Sequence, residues 1–463
     1  MASKQFVVLL ILAGIVGFVV SLAAWGFLEL TYQIQQGVYV HLPTDFGYHH
    51  GPPDWWALPF LLVAGVVTAL ACTRLPGNGG HIPAEGLKTD GGPTPPFDLV
   101  GIMLAATATI GLGVVLGPEA PLIALGSGLG VLAIKLLRRD LPPTVPMVIA
   151  AAGSFAAVSF IFGSPLIAAV ILIEATGLGG PMVPLVLVPG LLAAGIGSLV
   201  SIGMGQLTGL STSAFAIGAV HLPQFPRPDI AEFAWAIALA VVIAVVTAVV
   251  IRGGLLTLRI ARPRMLLVLP VVGLLIGVLA ILFHVTSGKD AQEVLFSGQS
   301  ALPGLISGAG TWSLSALALL IVFKGVAYSM SLGSFRGGPT FPGMFLGAAA
   351  GIMASHLPGL PITPAVGVGI GVATVSVLRL PLSAVVIATL LTIKSGAGSE
   401  PLIIVGVVVG YVVTMVLAQV RPAGTDAGAG AAPAAAAGSG AGAGAAAEAA
   451  PAAAPGGGAP AAG

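Results

Sequence analysis

The sequence predicts an all-α, polytopic membrane protein made of two related halves. Three observations carry that prediction. The 463-residue chain is 57% hydrophobic and only 7% charged, where soluble domains carry roughly 25% charge; its mean hydropathy is +1.07. Apolar segments of spanning or near-spanning length recur at 6–28, 57–72, 99–117, 119–137, 145–161, 165–177, 182–203, 231–251, 265–285, 312–331, 342–355, 363–378, 381–393 and 401–420. Finally, a motif around Glu119 returns around Thr340. No room is left for a large soluble domain. A net charge of +1 argues against a nucleic-acid partner.

The first apolar run, 6–28, follows Lys4. It is long for a signal peptide and shows no small-residue cleavage site before Glu29, so it reads as a first membrane helix. The stretch from Tyr32 to Trp56 is aromatic and acidic and has no Lys or Arg, which places it outside as a loop. Its His41, His49 and His50 fit no zinc-site spacing and read as solvated. Cys72 is the one cysteine, a small apolar core residue with no intramolecular partner. Then comes a glycine-rich turn, Pro76 to Pro83. There the backbone N–H groups of Gly79, Gly80, His81 and Ile82 could converge on one anion. His81 by itself reads as a hydrogen-bonded structural residue.

The repeat follows. Gly117-Pro118-Glu119-Ala120-Pro121, with Leu125, Gly126, Gly130 and Ala133, corresponds at one offset to Gly338-Pro339-Thr340-Phe341-Pro342, Leu346, Gly347, Gly351 and Ala354. Only the Glu119/Thr340 and Ala120/Phe341 pairs differ. Each copy is a Gly-Pro turn opening an apolar helix, and paired interruptions of this kind point to a transport site. An intramembrane carboxylate is a functional residue by default. A helix N-terminus exposes unpaired N–H groups and partial positive charge, which makes it an anion site. The Glu119 carboxylate can occupy that site itself and leave it on protonation. Gly117 to Ala120 supply one such end, and Thr340 and Phe341 the other.

A second repeat relates Pro165, Leu166, Ala168, Val170 and Ile171 to Pro381, Leu382, Ala384, Val386 and Ile387. Val158-Ser159 matches Val375-Ser376 with a one-residue gap. The halves therefore run about 50–205 and 265–420, within a transmembrane domain of 1–421. Residues 422–463 are almost wholly Ala, Gly and Pro and read as a disordered tail. Gly126, Gly130, Gly347 and Gly351 would let helices approach closely. Positive clusters at Lys135, Arg138, Arg139 and at Arg252, Arg259, Arg262, Arg264 mark cytoplasmic ends.

These motifs resemble the CLC family of chloride channels and chloride/proton antiporters. The family's Gly-Ser-Gly-Ile-Pro, Gly-Lys/Arg-Glu-Gly-Pro and Gly-x-Phe-x-Pro signatures are similar to Gly79–Pro83, Gly117–Pro121 and Gly338–Pro342, in that order. The resemblance covers residues 1 to about 420. It implies an inverted repeat whose interrupted helices meet at the membrane midplane, a homodimer with one pore per subunit, and a multi-pass protein of the plasma membrane. It makes Glu119 the gating glutamate. It makes Gly79, Gly80, His81, Ile82, Gly117, Ala120, Thr340 and Phe341 the anion-binding set, with no cofactor and no metal.

The departures also carry information. Gly80 stands where the family's serine binds the central chloride, and Pro339 lacks the N–H used beside the same ion. Restoring the hydroxyl with Gly80→Ser would tighten chloride binding by about 1 kcal/mol. No residue matches the family's pore tyrosine; Tyr411 reads as a packing residue. Ala175 occupies the place of the inner proton-transfer glutamate, with Glu174 just before it as the candidate relay. The expectation is a chloride channel gated by Glu119; the alternative is a proton-coupled chloride or fluoride antiporter. An intramembrane enzyme would need a nucleophile–base pair or a metal set among Glu119, Glu174, His284 and His356, whose spacing offers neither.

Overall fold

A computed structural model describes residues 4–86, 92–137, 144–177, 179–180, 182–208 and 217–419. The Ala/Gly/Pro-rich stretch and Arg138 and Arg139 lie outside the described residues. Among the described residues, sixteen α-helices belong to the first compact unit. They are α1 (Lys4–Gln36), α2 (Leu42–Asp45), α3 (Ala57–Arg74), α4 (Leu99–Gly111), α5 (Glu119–Leu137), α6 (Thr144–Phe162), α7 (Pro165–Thr176), α8 (Met182–Thr208), α9 (Ile230–Ala261), α10 (Met265–Ser287), α11 (Leu302–Ser307), α12 (Leu314–Ser334), α13 (Thr340–Ala354), α14 (Ile362–Leu378), α15 (Pro381–Thr392) and α16 (Glu400–Gln419). Among the described residues there is no named strand, and eight helical stretches are long and apolar enough to cross a membrane. Their outer faces carry large apolar side chains such as Ile11, Phe18, Val242, Val249, Val408 and Val412, all exposed, as a lipid-facing surface requires.

Besides α9, which runs on to Ala261 rather than ending near 251, two boundaries differ from expectation. The first helix does not stop near residue 28. It runs on from α1 through a π-helical turn, Gly37–His41, into α2. Tertiary contacts hold the polar extension. Tyr39 is 4% exposed, its hydroxyl donates to the Leu112 carbonyl at 2.9 Å, and its ring meets Phe296 edge-on at 5.0 Å. Gln35 donates to the Ile110 carbonyl at 2.9 Å. The second difference is α4, which ends at Gly111 rather than near 117, because the chain must turn irregularly to deliver Glu119.

Equivalent helices of the two halves pack by the same device. A Cβ on Gly126 of α5 would overlap the Gly153 carbonyl of α6, and one on Gly347 of α13 would overlap the Gly369 carbonyl of α14. Backbone thus meets backbone, as small residues in membrane helices permit. α6 ends at Phe162 and is followed by Gly163 at φ +61°; α14 ends at Leu378 and is followed by Arg379 at φ +59°. These ends align the halves without the expected gap, so Ser159 corresponds to Val375 rather than Ser376. Pro165 and Pro381 then open the next helices, each at a first-turn position where its missing N–H costs nothing.

The relation between the halves is settled at Gly117 and Gly338, which form an antiparallel bridge. Gly117 N–H donates to Gly338 O at 2.8 Å and Gly338 N–H donates to Gly117 O at 2.5 Å. Equivalent residues that exchange bonds reciprocally lie across an approximate two-fold axis, the relation that an inverted repeat requires, and the two interrupted helices meet at this bridge.

Candidate functional site

The bridge places the N-termini of α5 and α13 side by side, with Glu119 between them. Glu119 is 2% exposed. Its Oε1 accepts from the Thr340 N–H. The carboxylate also lies against the Phe341 amide and the Thr340 hydroxyl, while Oε2 has no hydrogen-bond partner. The carboxylate of one half is thus seated on the helix end of the other. Gly117 and Gly338 make the seat possible, since a Cβ on either would overlap the Glu119 carboxyl group. Ala120 and Thr340 are buried beside it. The Phe341 ring, 1% exposed, stacks on Phe162 with centroids 5.2 Å apart and planes at 31°.

The structure therefore brings Gly117, Glu119, Ala120, Thr340 and Phe341 into one site. The first glycine-rich turn meets Arg336, two residues before Gly338. Gly77, Asn78, Gly79 and Gly80 all have positive φ, at 78°, 49°, 73° and 91°. The Gly80 N–H is spent on the Gly77 carbonyl at 2.7 Å. His81 Nε2 pairs with the Gly86 carbonyl, and Ile82 is extended before Pro83. Gly79 packs against Cys72 and Arg336, and Gly80 against Ile102.

This geometry revises the serine argument. Gly80 lies at φ 91°, ψ −158°, a region open essentially only to glycine. A Cβ there would also press on Ile102 at 3.2 Å. Gly80→Ser should lower the thermal stability, by about 1–3 kcal/mol, instead of tightening chloride binding. An unchanged melting temperature together with higher chloride affinity would refute this.

Glu174 belongs to a third junction. Oε1 accepts from Leu382 N–H at 2.9 Å; Oε2 accepts from Ser383 N–H at 2.7 Å and Ser383 Oγ at 2.6 Å. It caps α15 from the end of α7. The reason lies in the repeat: Ser164 caps its own helix α7 through the Ile167 N–H, whereas the corresponding residue before α15 is Leu380, which has no side-chain acceptor. Tyr411 is partly buried on α16 and packs against the core.

Tyr328, Phe162, Lys324 and Arg336 also stand around these turns without belonging to a repeated motif. Tyr328, 1% exposed, donates its hydroxyl to the Pro339 carbonyl and braces the turn into α13. Lys324, inside α12, and Arg336, just after it, are buried cations. Their charge at membrane depth was the available signal.

The family model described as Voltage gated chloride channel matches residues 61–398. The chain belongs to that family. Its relatives include YfeO, named as an ion-transport protein, in Salmonella choleraesuis (strain SC-B67), at 28% identity over 367 residues, covering 78% of this chain and 83% of the relative. YfeO of Escherichia coli (strain SMS-3-5 / SECEC) is 30% identical over 356 residues, covering 75% and 79%. Among solved structures, a slow cyanobacterial Cl−/H+ antiporter superposes with TM-score 0.71 at 18% identity, covering 88% of this chain and 94% of the other. A CLC-type fluoride/proton antiporter superposes with TM-score 0.65 at 17% identity, covering 89% and 97%. The fold is that of the CLC family, and the protein is a multi-pass integral membrane protein.

Proposed function

We propose that the protein conducts chloride or a similar small anion across the plasma membrane, as a channel gated by Glu119. The observation that carries this reading is the carboxylate of Glu119, buried and seated on the α13 N-terminus. An ionised carboxylate there competes with a permeant anion for the same N–H groups. A neutral carboxyl gives up that charge-assisted bonding and frees the site. Acid therefore opens the path. The helix ends supply the attraction, and the stacked Phe162 and Phe341 rings supply an apolar wall. The resemblance to the family supports a homodimer with one path per subunit.

Proton-coupled exchange is the second reading, and one observation favours it. Glu85 lines a cavity of about 200 Å³ that also reaches Pro339 and Arg379, so a carboxylate faces the same turn that leads to the gate. Glu174, bound by both oxygens to α15, is less free to carry a proton.

Reconstitution in liposomes tests both readings. Chloride efflux and proton uptake are recorded together, with a potassium ionophore collapsing the potential. Chloride flux without proton movement is the expected result. Uphill proton uptake driven by chloride would make it an exchanger. Absence of flux for chloride, fluoride and nitrate would overturn anion transport.

A further inference from the structure

Two cations are buried among the described residues, and they are satisfied very differently. Lys324, 0% exposed, donates to the carbonyls of Glu293, Val294, Leu295 and Phe296 at 2.9, 3.3, 2.8 and 3.2 Å. It also sits 4.6 Å from the Phe345 ring centroid. That is how this fold holds a structural cation. Arg336 is 3% exposed, yet its one protein hydrogen bond runs from Nη1 to the carbonyl of its neighbour Phe335 at 3.1 Å. Its Nε has no partner. No carboxylate lies within ion-pair distance, for the one ion pair among the described residues joins His284 and Asp54. Glu85 acts on it only from beyond that distance, and burying a cation without a contacting counter-charge is a heavy penalty for a fold.

The position of Arg336 bears on what its unpaired Nε serves. Its side chain runs along the first glycine-rich turn, where a Cβ on Gly79 would come within 3.1 Å of Arg336 Cγ. Its backbone leads directly into Gly338 and the bridge to Gly117. Arg336 therefore joins the two segments whose anion donors are missing: Gly80 has no hydroxyl, and Pro339 has no N–H.

We propose that the Arg336 guanidinium is an anion ligand of the transport path, replacing those two donors. This rests on the anion-transport reading above. A guanidinium is weakly hydrated and presents a planar fork of donors. Chloride, and above all a planar oxyanion such as nitrate, suits it better than strongly hydrated fluoride.

The test measures anion-dependent thermal stabilisation of the purified, detergent-solubilised protein and its flux in liposomes, in chloride, nitrate and fluoride. Arg336→Met should weaken apparent chloride and nitrate affinity by about ten- to a hundredfold. Arg336→Lys should recover chloride affinity more than nitrate affinity, because the fork is lost while the charge remains. A monodisperse Arg336→Met protein with wild-type chloride affinity would overturn the proposal. If Arg336→Met does not fold, an unchanged nitrate-to-chloride preference in Arg336→Lys overturns it equally. Glu119→Gln separates the two levels. Raised flux in Glu119→Gln with unaltered affinity in the Arg336 variants sinks only the Arg336 assignment; no anion binding or flux in any form sinks the transport reading with it.

Discussion

Glu119→Gln should convert acid-activated anion flux into flux that is high at every pH. Glutamine cannot ionise, so it cannot hold the Thr340 N–H with the charge-assisted bond that the carboxylate makes. The competition for the α13 N-terminus is then lost in favour of the permeant anion. At pH values where wild type is mostly closed, flux should rise by about ten- to a hundredfold, the equivalent of one charged hydrogen bond. Wild-type flux should climb as pH falls, whereas the variant should trace a flat line. Gly338→Ala offers a steric version of the same experiment. Its Cβ would overlap the Glu119 carboxyl group, the movable end of a flexible side chain, and should push it off its seat. Fluorescent or electrode-based efflux from liposomes between pH 4.5 and 8, as an approximate working range around the free glutamate and histidine values, decides the matter. A Glu119→Gln protein that keeps the wild-type pH profile would remove Glu119 from the gate.

Lys324→Met should produce the largest loss of stability of any single substitution considered, about 2–5 kcal/mol. Methionine matches the length and apolar stem of lysine but donates nothing. The carbonyls of Glu293, Val294, Leu295 and Phe296 would lose a shared donor. Several of these groups lie in buried surroundings, with Val294 at 0% and Leu295 at 2% exposure. The segment also contains Phe296 at φ +58°, a conformation that a bulky residue holds only when neighbours impose it. Because Phe345 of α13 packs under the ammonium, release of this segment should loosen the gate helix too. A thermal melt in detergent shows the effect. An unaltered midpoint would mean that the carbonyls find other donors and that the lysine is dispensable.

Much of the fold was legible because hydropathy and helix breakers are local. The apolar segments matched helices nearly one for one, and Gly-Pro turns marked where α5 and α13 begin. Glu119 stood out because a lone acid in apolar sequence is costly unless it acts. The end of the first helix was not legible. Its polar residues 32–45 stay helical only because Tyr39, Gln35 and their partners around Leu112 and Phe296 are brought together by the fold. Glu174 looked like a displaced proton relay; its three bonds to α15 depend on α7 and α15 meeting end to end. Gly80 looked like a missing hydroxyl, and its backbone angle turned it into a position that excludes one.

The sequence by itself determined that the chain lives in a membrane, that it is two related halves, and that Glu119 and the glycine turns around it matter. These follow from composition, spacing and repetition, which need no third dimension. Only the tertiary structure decided that the halves meet across a two-fold at Gly117 and Gly338, that Glu119 sits on the helix end of the opposite half, and that Lys324 is caged while Arg336 has no carboxylate in contact. A charge takes its role from the groups within a few ångströms, and in this fold most of those groups come from distant parts of the chain.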